Sequence, residues 1–100
     1  MKTTSTNRKS ATNLGKKRIT FYCKAEPGSE VYLAGDFNAW DPHARRMTDK
    51  EKKGIFTTTM MLHPGTYEYK FVVNGQWSVD YECAEWVPNG KGSLNSVLHV

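Results

Sequence analysis

The sequence predicts an all-β domain, an antiparallel β-sandwich, and three observations predict it. Short runs in which apolar and polar residues alternate recur along the chain, with turn residues between them. No stretch shows the 3.6-residue apolar period of an amphipathic helix. A chain of 100 residues, 38% hydrophobic and 12% aromatic, holds the material for one core and one domain.

The elements follow in order. Ile19, Phe21 and Cys23 alternate with Thr20, Tyr22 and Lys24, so one face of a first strand is apolar. Glu26-Pro27-Gly28-Ser29 is a turn. Val31 and Leu33 alternate with Tyr32 and Ala34 in a second strand. The polar stretch from Asn38 to Lys53 contains Pro42 and runs into Gly54, which reads as mostly loop. Ile55–Leu62 is a strand rich in Thr and Met, and Pro64-Gly65 turns it into Thr66–Val73. There Tyr67, Tyr69, Phe71 and Val73 share one face, with Glu68 and Lys70 on the other. Asn74-Gly75 supplies two residues that tolerate positive φ, a tight-hairpin signal, and residues 76–79 should pair back. Residues 80–93 read as loop, and Val97, Leu98 and Val100 mark the last strand. Phe37 and Phe71 are assigned to the core, and Gly35 and Gly65 to backbone geometry. The chain shows no internal repeat.

Charge divides the chain into two parts. The formal net charge is +4, yet Lys2, Arg8, Lys9, Lys16, Lys17 and Arg18 precede residue 19 and no acid does. Taking these six from the fourteen bases leaves eight against ten acids, so residues 19–100 carry −2. Residues 1–17, rich in Thr, Ser, Asn and Lys, are therefore expected to be a disordered, solvated basic leader, and residues 18–100 the domain. A nucleic-acid binder would carry its positive charge on the folded surface, so nucleic acid is not an expected partner. Nor is a membrane, because no apolar run approaches the length of a spanning helix. The N-terminus lacks the apolar core of a signal peptide. Cys23 and Cys83 match no zinc spacing and make no disulfide framework, so free thiols in a reducing cytoplasm are expected. The starting Met and a final strand ending at Val100 favour a stand-alone module.

Nothing in the sequence carries catalytic chemistry. His43, His63 and His99 lack ligand spacing, and neither a nucleophile elbow nor a phosphate-cradling glycine loop is present. Asp80 and Glu82 are a carboxylate pair of the kind glycoside hydrolysis uses, but a surface loop on a small domain offers no deep cleft for them. The expectation is a non-enzyme without cofactor, metal or catalytic residues.

Three segments carry a resemblance. They are Val31-Tyr32-Leu33-Ala34-Gly35-Asp36-Phe37-Asn38-Ala39-Trp40-Asp41-Pro42, then Pro64-Gly65-Thr66-Tyr67-Glu68-Tyr69-Lys70-Phe71-Val72-Val73-Asn74-Gly75-Gln76-Trp77, then Gly92-Ser93-Leu94-Asn95-Ser96-Val97-Leu98-His99-Val100. In this order and spacing the chain resembles carbohydrate-binding module family 48. That family includes the glycogen-binding domain of the AMP-activated protein kinase beta subunit and the N-terminal domains of isoamylases and glycogen-branching enzymes. The resemblance implies an immunoglobulin-like sandwich that binds α-1,4-linked glucan, glycogen or maltooligosaccharides, without catalysis. By position it implies that Trp40, Lys70, Trp77 and Asn95 hold the sugar, with Ser93 contributing. Kinase-type members carry a leucine on the last loop, where Lys91 stands here in a loop one residue longer; Trp86 in that loop offers a replacement apolar surface. A glycogen-metabolising enzyme or a kinase is the implied protein partner.

These residue types suit a sugar. Glucose has an apolar face of C–H groups that an indole face attracts, and a rim of hydroxyls that an amide can both donate to and accept from. Shallow sites of this kind bind short chains with Kd of roughly 10 μM to 1 mM, about −7 to −4 kcal/mol. By position alone each tryptophan reads equally as a core residue, and Lys70 as a solvated outer-face lysine. Two further readings therefore stand beside the first: an interaction module of the same fold with weak or no sugar binding, and a regulatory accessory to a separately encoded glycogen enzyme. Exposure of Trp40 and Trp77 discriminates the sugar-binding reading from the interaction module: buried, they would favour the latter.

Overall fold

The computed structural model describes residues 15–100. The disorder expected of the leader therefore falls mainly outside the described residues, and Lys17 already opens the first strand. Eight strands follow in chain order: β1 (Lys17–Lys24), β2 (Val31–Gly35), β3 (Arg46–Met47), β4 (Ile55–Leu62), β5 (Thr66–Val73), β6 (Gln76–Ser78), β7 (Trp86–Pro88) and β8 (Leu94–His99). Among the described residues one 3-10 turn, Asp36–Asn38, follows β2. All pairings are antiparallel.

Two sheets form the predicted sandwich. The smaller pairs β1 with β4, from Lys17 opposite Leu62 to Lys24 opposite Ile55. The larger runs β3-β2-β5-β8-β7, with β6 added to β5. Phe21 and Cys23 from β1 and Phe56 and Leu62 from β4 meet Val31, Leu33, Met47, Tyr69 and Phe71 in one buried cluster. The alternation of β1 dictates this, since burying every second residue leaves Thr20, Tyr22 and Lys24 outward. Aromatic edges lock the layers: the Phe21 ring lies 5.2 Å from Tyr69 and 5.7 Å from Phe37.

The position of β5 sets the site. One of its edges pairs with β2 along residues 69–73. The other pairs first with β8, over Thr66 to Tyr69, and then with β6, over Phe71 to Val73. Lys70 falls where the partner changes. Residues opposite one another share a face, so Ala34, Lys70, Val72 and Trp77 lie on the outer face of the large sheet. Phe71 lies inward, as its alternation requires.

Two regions read as loop contain short strands. β3 interrupts the stretch from Asn38 to Lys53, and β7 interrupts residues 80–93; the last strand also begins earlier, at Leu94. Two or three residues are too few to show alternation. Pro88 can close β7 because β7 pairs only with β8 and stands at the sheet edge.

Candidate functional site

The segment Gly35-Asp36-Phe37-Asn38-Ala39-Trp40 builds the first wall, and each polar residue in it has a backbone task. Asn38 accepts from Gly35 N at 3.0 Å and donates to Leu33 O at 2.9 Å, closing the turn on itself. One Asp36 carboxylate oxygen accepts from Glu68 N at 2.8 Å, docking the turn on β5. The other accepts from the Trp40 indole N–H at 3.0 Å and fixes the ring. Phe37 anchors the segment inward against Phe21 and Tyr67. Trp40 N returns to Gly35 O at 3.0 Å.

That closure demands an unusual backbone, with Ala39 at φ 57° and Trp40 at φ 59°, both left-handed and neither glycine. Such strain persists where the surroundings over-determine it, often at binding sites. The left-handed conformation costs an L-residue about 1 kcal/mol, part of which glycine's extra freedom in the unfolded chain would offset. Ala39→Gly is therefore expected to raise stability by about 0.5 kcal/mol, measured by urea denaturation; a loss of stability would show that the Ala39 methyl has a packing role outweighing the strain.

The second wall is Trp77, delivered by the tight turn in which Asn74 and Gly75 take φ 50° and 81°. The Asn74 side chain accepts from Glu30 N at 2.9 Å, tying the hairpin to the start of β2. The two indoles stand 6.4 Å apart between centroids, inclined at 44°, an open V. Trp77 is 48% exposed and Trp40 half-buried. Neither belongs to the core cluster.

Between the walls lies a cleft of about 580 Å3. Lys70 and Asn95 form its floor and are only 7% and 6% exposed. This differs from the solvated lysine that strand position alone suggested. Both side chains project from the outer face, but walls from three other segments enclose them, so only the cleft reaches them. Lys70 Nζ donates to Ser93 Oγ at 2.6 Å. Asn95 donates to a Glu68 carboxylate oxygen at 2.9 Å and accepts from the Asn89 amide at 3.4 Å. Asn89 in turn accepts from Lys91 N at 2.8 Å and Ser93 N at 3.3 Å, which shapes the 89–93 loop.

The cleft thus brings Trp40, Lys70, Trp77, Ser93 and Asn95 together. Trp86 is placed elsewhere. It pairs opposite Ser96, which faces away from Asn95, so its ring leaves on the inward side of the sheet. There it donates to Asp80 O at 3.0 Å and meets Tyr81 edge-on at 6.5 Å. Four further residues line the cleft: Asp36, Glu68, Asn89 and Lys91. Glu68 was legible from its i, i+2 relation to Lys70, whereas Asp36 and Asn89 carry no separate signal.

Asp36 and Glu68 balance Lys70 and Lys91, so the cleft suits a neutral, hydroxyl-rich ligand better than a polyanion. Asp80 and Glu82 lie outside it. Asp80 accepts from the Tyr69 hydroxyl at 2.7 Å and from Glu82 N at 3.0 Å, and Glu82 pairs with Lys24 at 2.9 Å. Burial first, and then Asp80, pushes the Tyr69 phenol well above its usual range. Among the described residues no group of three or more His, Cys, Asp or Glu could hold a metal ion, and both cysteines are free. Burial raises the Cys23 thiol to about 11.

Comparison with known proteins finds relatives of this chain. Residues 19–100 match the family model described as the glycogen recognition site of AMP-activated protein kinase. Protein PTST homolog 2, chloroplastic, of Arabidopsis thaliana is 46% identical over 52 residues, covering 52% of this chain and 9% of that protein. Protein FLOURY ENDOSPERM 6, chloroplastic, of Oryza sativa subsp. japonica is 36% identical over 67 residues, 67% of this chain and 12% of that protein. The 5'-AMP-activated protein kinase subunit beta-1 of Sus scrofa is 33% identical over 73 residues, 73% of this chain and 56% of that sequence. The chain thus spans about a tenth of the two plant proteins and about half of the pig sequence.

Proposed function

Because the chain belongs to the family of the glycogen recognition site of AMP-activated protein kinase, a carbohydrate-binding and non-catalytic family, we propose that it holds an α-1,4-linked glucan in the cleft between Trp40 and Trp77. The observation that carries this reading is the convergence of two accessible indoles over a floor of Lys70 and Asn95. Rings inclined at 44° fit consecutive glucose units of a chain that curves. The C–H faces of the sugar lie on the indoles. The hydroxyls reach the Lys70 ammonium, a three-donor group that Ser93 engages at one position, and the amide of Asn95. Exposure of Trp77 favours this over a purely protein-binding module.

The expected result is that maltoheptaose quenches or shifts tryptophan fluorescence saturably while cellohexaose does not, because a β-1,4 chain is nearly flat and cannot follow the V. Equal binding of the two would overturn the reading. Stacking and neutral hydrogen bonds also make the affinity nearly independent of salt, whereas a steep fall with salt would point to an electrostatic site.

The partner we propose is a glucan-handling enzyme or kinase, fused or separate, that the module brings to its polymer. Free Cys23 and Cys83 suit a reducing compartment, the cytoplasm or, by analogy with the plant relatives, the chloroplast. Among the described residues no helix is long and apolar enough to cross a membrane.

A further inference from the structure

A second hollow, of about 820 Å3, opens at the sandwich edge beside the cleft. Its floor is the outer limit of the core, Cys23 and Phe71, and its rim carries exposed rings. Tyr22, projecting outward from β1, is 60% exposed; Tyr81, on the loop after β6, is 77% exposed. Trp77 lines both this hollow and the cleft. The two concavities therefore adjoin at Trp77, on the edge strand β6.

We propose that the bound glucan continues past Trp77 into this hollow, with Tyr22 and Tyr81 as additional stacking platforms for longer chains. The inference rests on the proposed binding of α-glucan in the cleft. A chain that outruns the cleft over Trp77 and the edge strand β6 meets this hollow, which Gln76 and Ser78 of the same strand also line. The surface there has what a polyol needs: flat aromatic faces, phenol hydroxyls that donate and accept, and the exposed amide of Gln76. Of the charges that line it, Lys24 pairs with Glu82 at 2.9 Å, and Glu26 and Asp80 leave the hollow net acidic, which a neutral polyol tolerates and a polyanion does not. Trp86 acquires a role by this route. Held by Asp80 O, it meets the Tyr81 ring edge-on at 6.5 Å and limits its freedom, which lowers the entropy that stacking would cost.

The test compares maltoheptaose with a linear maltodextrin more than twice its length, by titration calorimetry on the whole chain, in wild type, Tyr81→Ala, Tyr22→Ala and Tyr81→Phe. Tyr81→Ala and Tyr22→Ala are each expected to weaken the long chain about fivefold to tenfold, the size of a lost stacking contact, and to leave maltoheptaose within about twofold. Tyr81→Phe, which keeps the ring, should retain most of the long-chain affinity. Both rings are exposed, so melting temperatures should not move; if Tyr81→Ala fails to fold, Tyr22→Ala reads the same hollow. Unchanged long-chain binding in both alanine variants would overturn the proposal and leave the rim to another occupant, such as a protein segment. Equal weakening of both ligands would overturn it too, by merging the hollow with the cleft. Loss of the cleft reading itself is read separately, from Trp40→Ala: if that variant binds maltoheptaose as wild type does, the sugar does not lie in the cleft.

Discussion

Replacing Trp77 by alanine is expected to remove detectable maltoheptaose binding and to leave the melting temperature nearly unchanged. The ring is half-exposed, lies outside the core cluster and sits on a three-residue strand whose only partner is β5. Little folding energy depends on it. For binding the loss is double: one stacking platform disappears, and Trp40 loses the neighbour 6.4 Å away that completes the V. A lost stacking ring costs about 1 to 3 kcal/mol. Every 1.4 kcal/mol is tenfold, so a ligand that begins near millimolar passes out of reach. Trp40 remains as the fluorescent reporter, and calorimetric melting supplies the control. Unchanged affinity would place the sugar elsewhere, and lost folding would make Trp77 a core residue.

The largest effect on stability is expected from Gly35→Ala. The reason is contact rather than conformation, because Gly35 has φ −176°, extended backbone open to any residue. A β-carbon there would stand 2.6 Å from Glu68 O, 2.9 Å from Tyr69 Cβ and 2.8 Å from the tip of the Phe37 ring. The first two are fixed by the β2–β5 ladder, in which Gly35 pairs with Tyr69. They cannot retreat without opening the centre of the large sheet, and Phe37 cannot retreat without freeing the turn that carries Trp40. Overpacking of this kind costs about 3 kcal/mol or more. For a domain this small that lowers Tm by about 12 to 24 °C, measured by circular dichroism. A variant melting within a few degrees of wild type would show that the two strands can part without cost.

Local patterning made much of this architecture legible. The bounds of β4 and β5 follow directly from alternation ended by Pro64-Gly65 and Asn74-Gly75. The inward course of Phe71 and the outward course of Lys70 follow from period two alone. What the pattern could not convey is enclosure. Lys70 and Asn95 are buried because residues from the 3-10 turn, β6 and the 89–93 loop surround them, and no local signal encodes walls supplied by distant segments. The direction of Trp86 was hidden for a related reason. It depends on the pairing of β7 with β8, and three residues ending in proline reveal no register. Asp36 illustrates the opposite limit: its role is visible only once Glu68 N and the Trp40 indole are seen on the two oxygens of one carboxylate.

Trp40, Lys70, Trp77 and Asn95 come from four different segments, and together they span more than half of the chain. The arrangement exists only when the 3-10 turn, β5, β6 and β8 are assembled. No short continuous fragment of the chain can reproduce it, and a glucan held there engages the native state alone. Mass action then couples sugar supply to survival. A ligand present at about 100 times its Kd adds about 2.7 kcal/mol to the native state, against a whole margin of about 5 to 15 kcal/mol for a typical domain. The module would be hardest to digest where its polymer is plentiful, and would become open to proteolysis as the store is consumed.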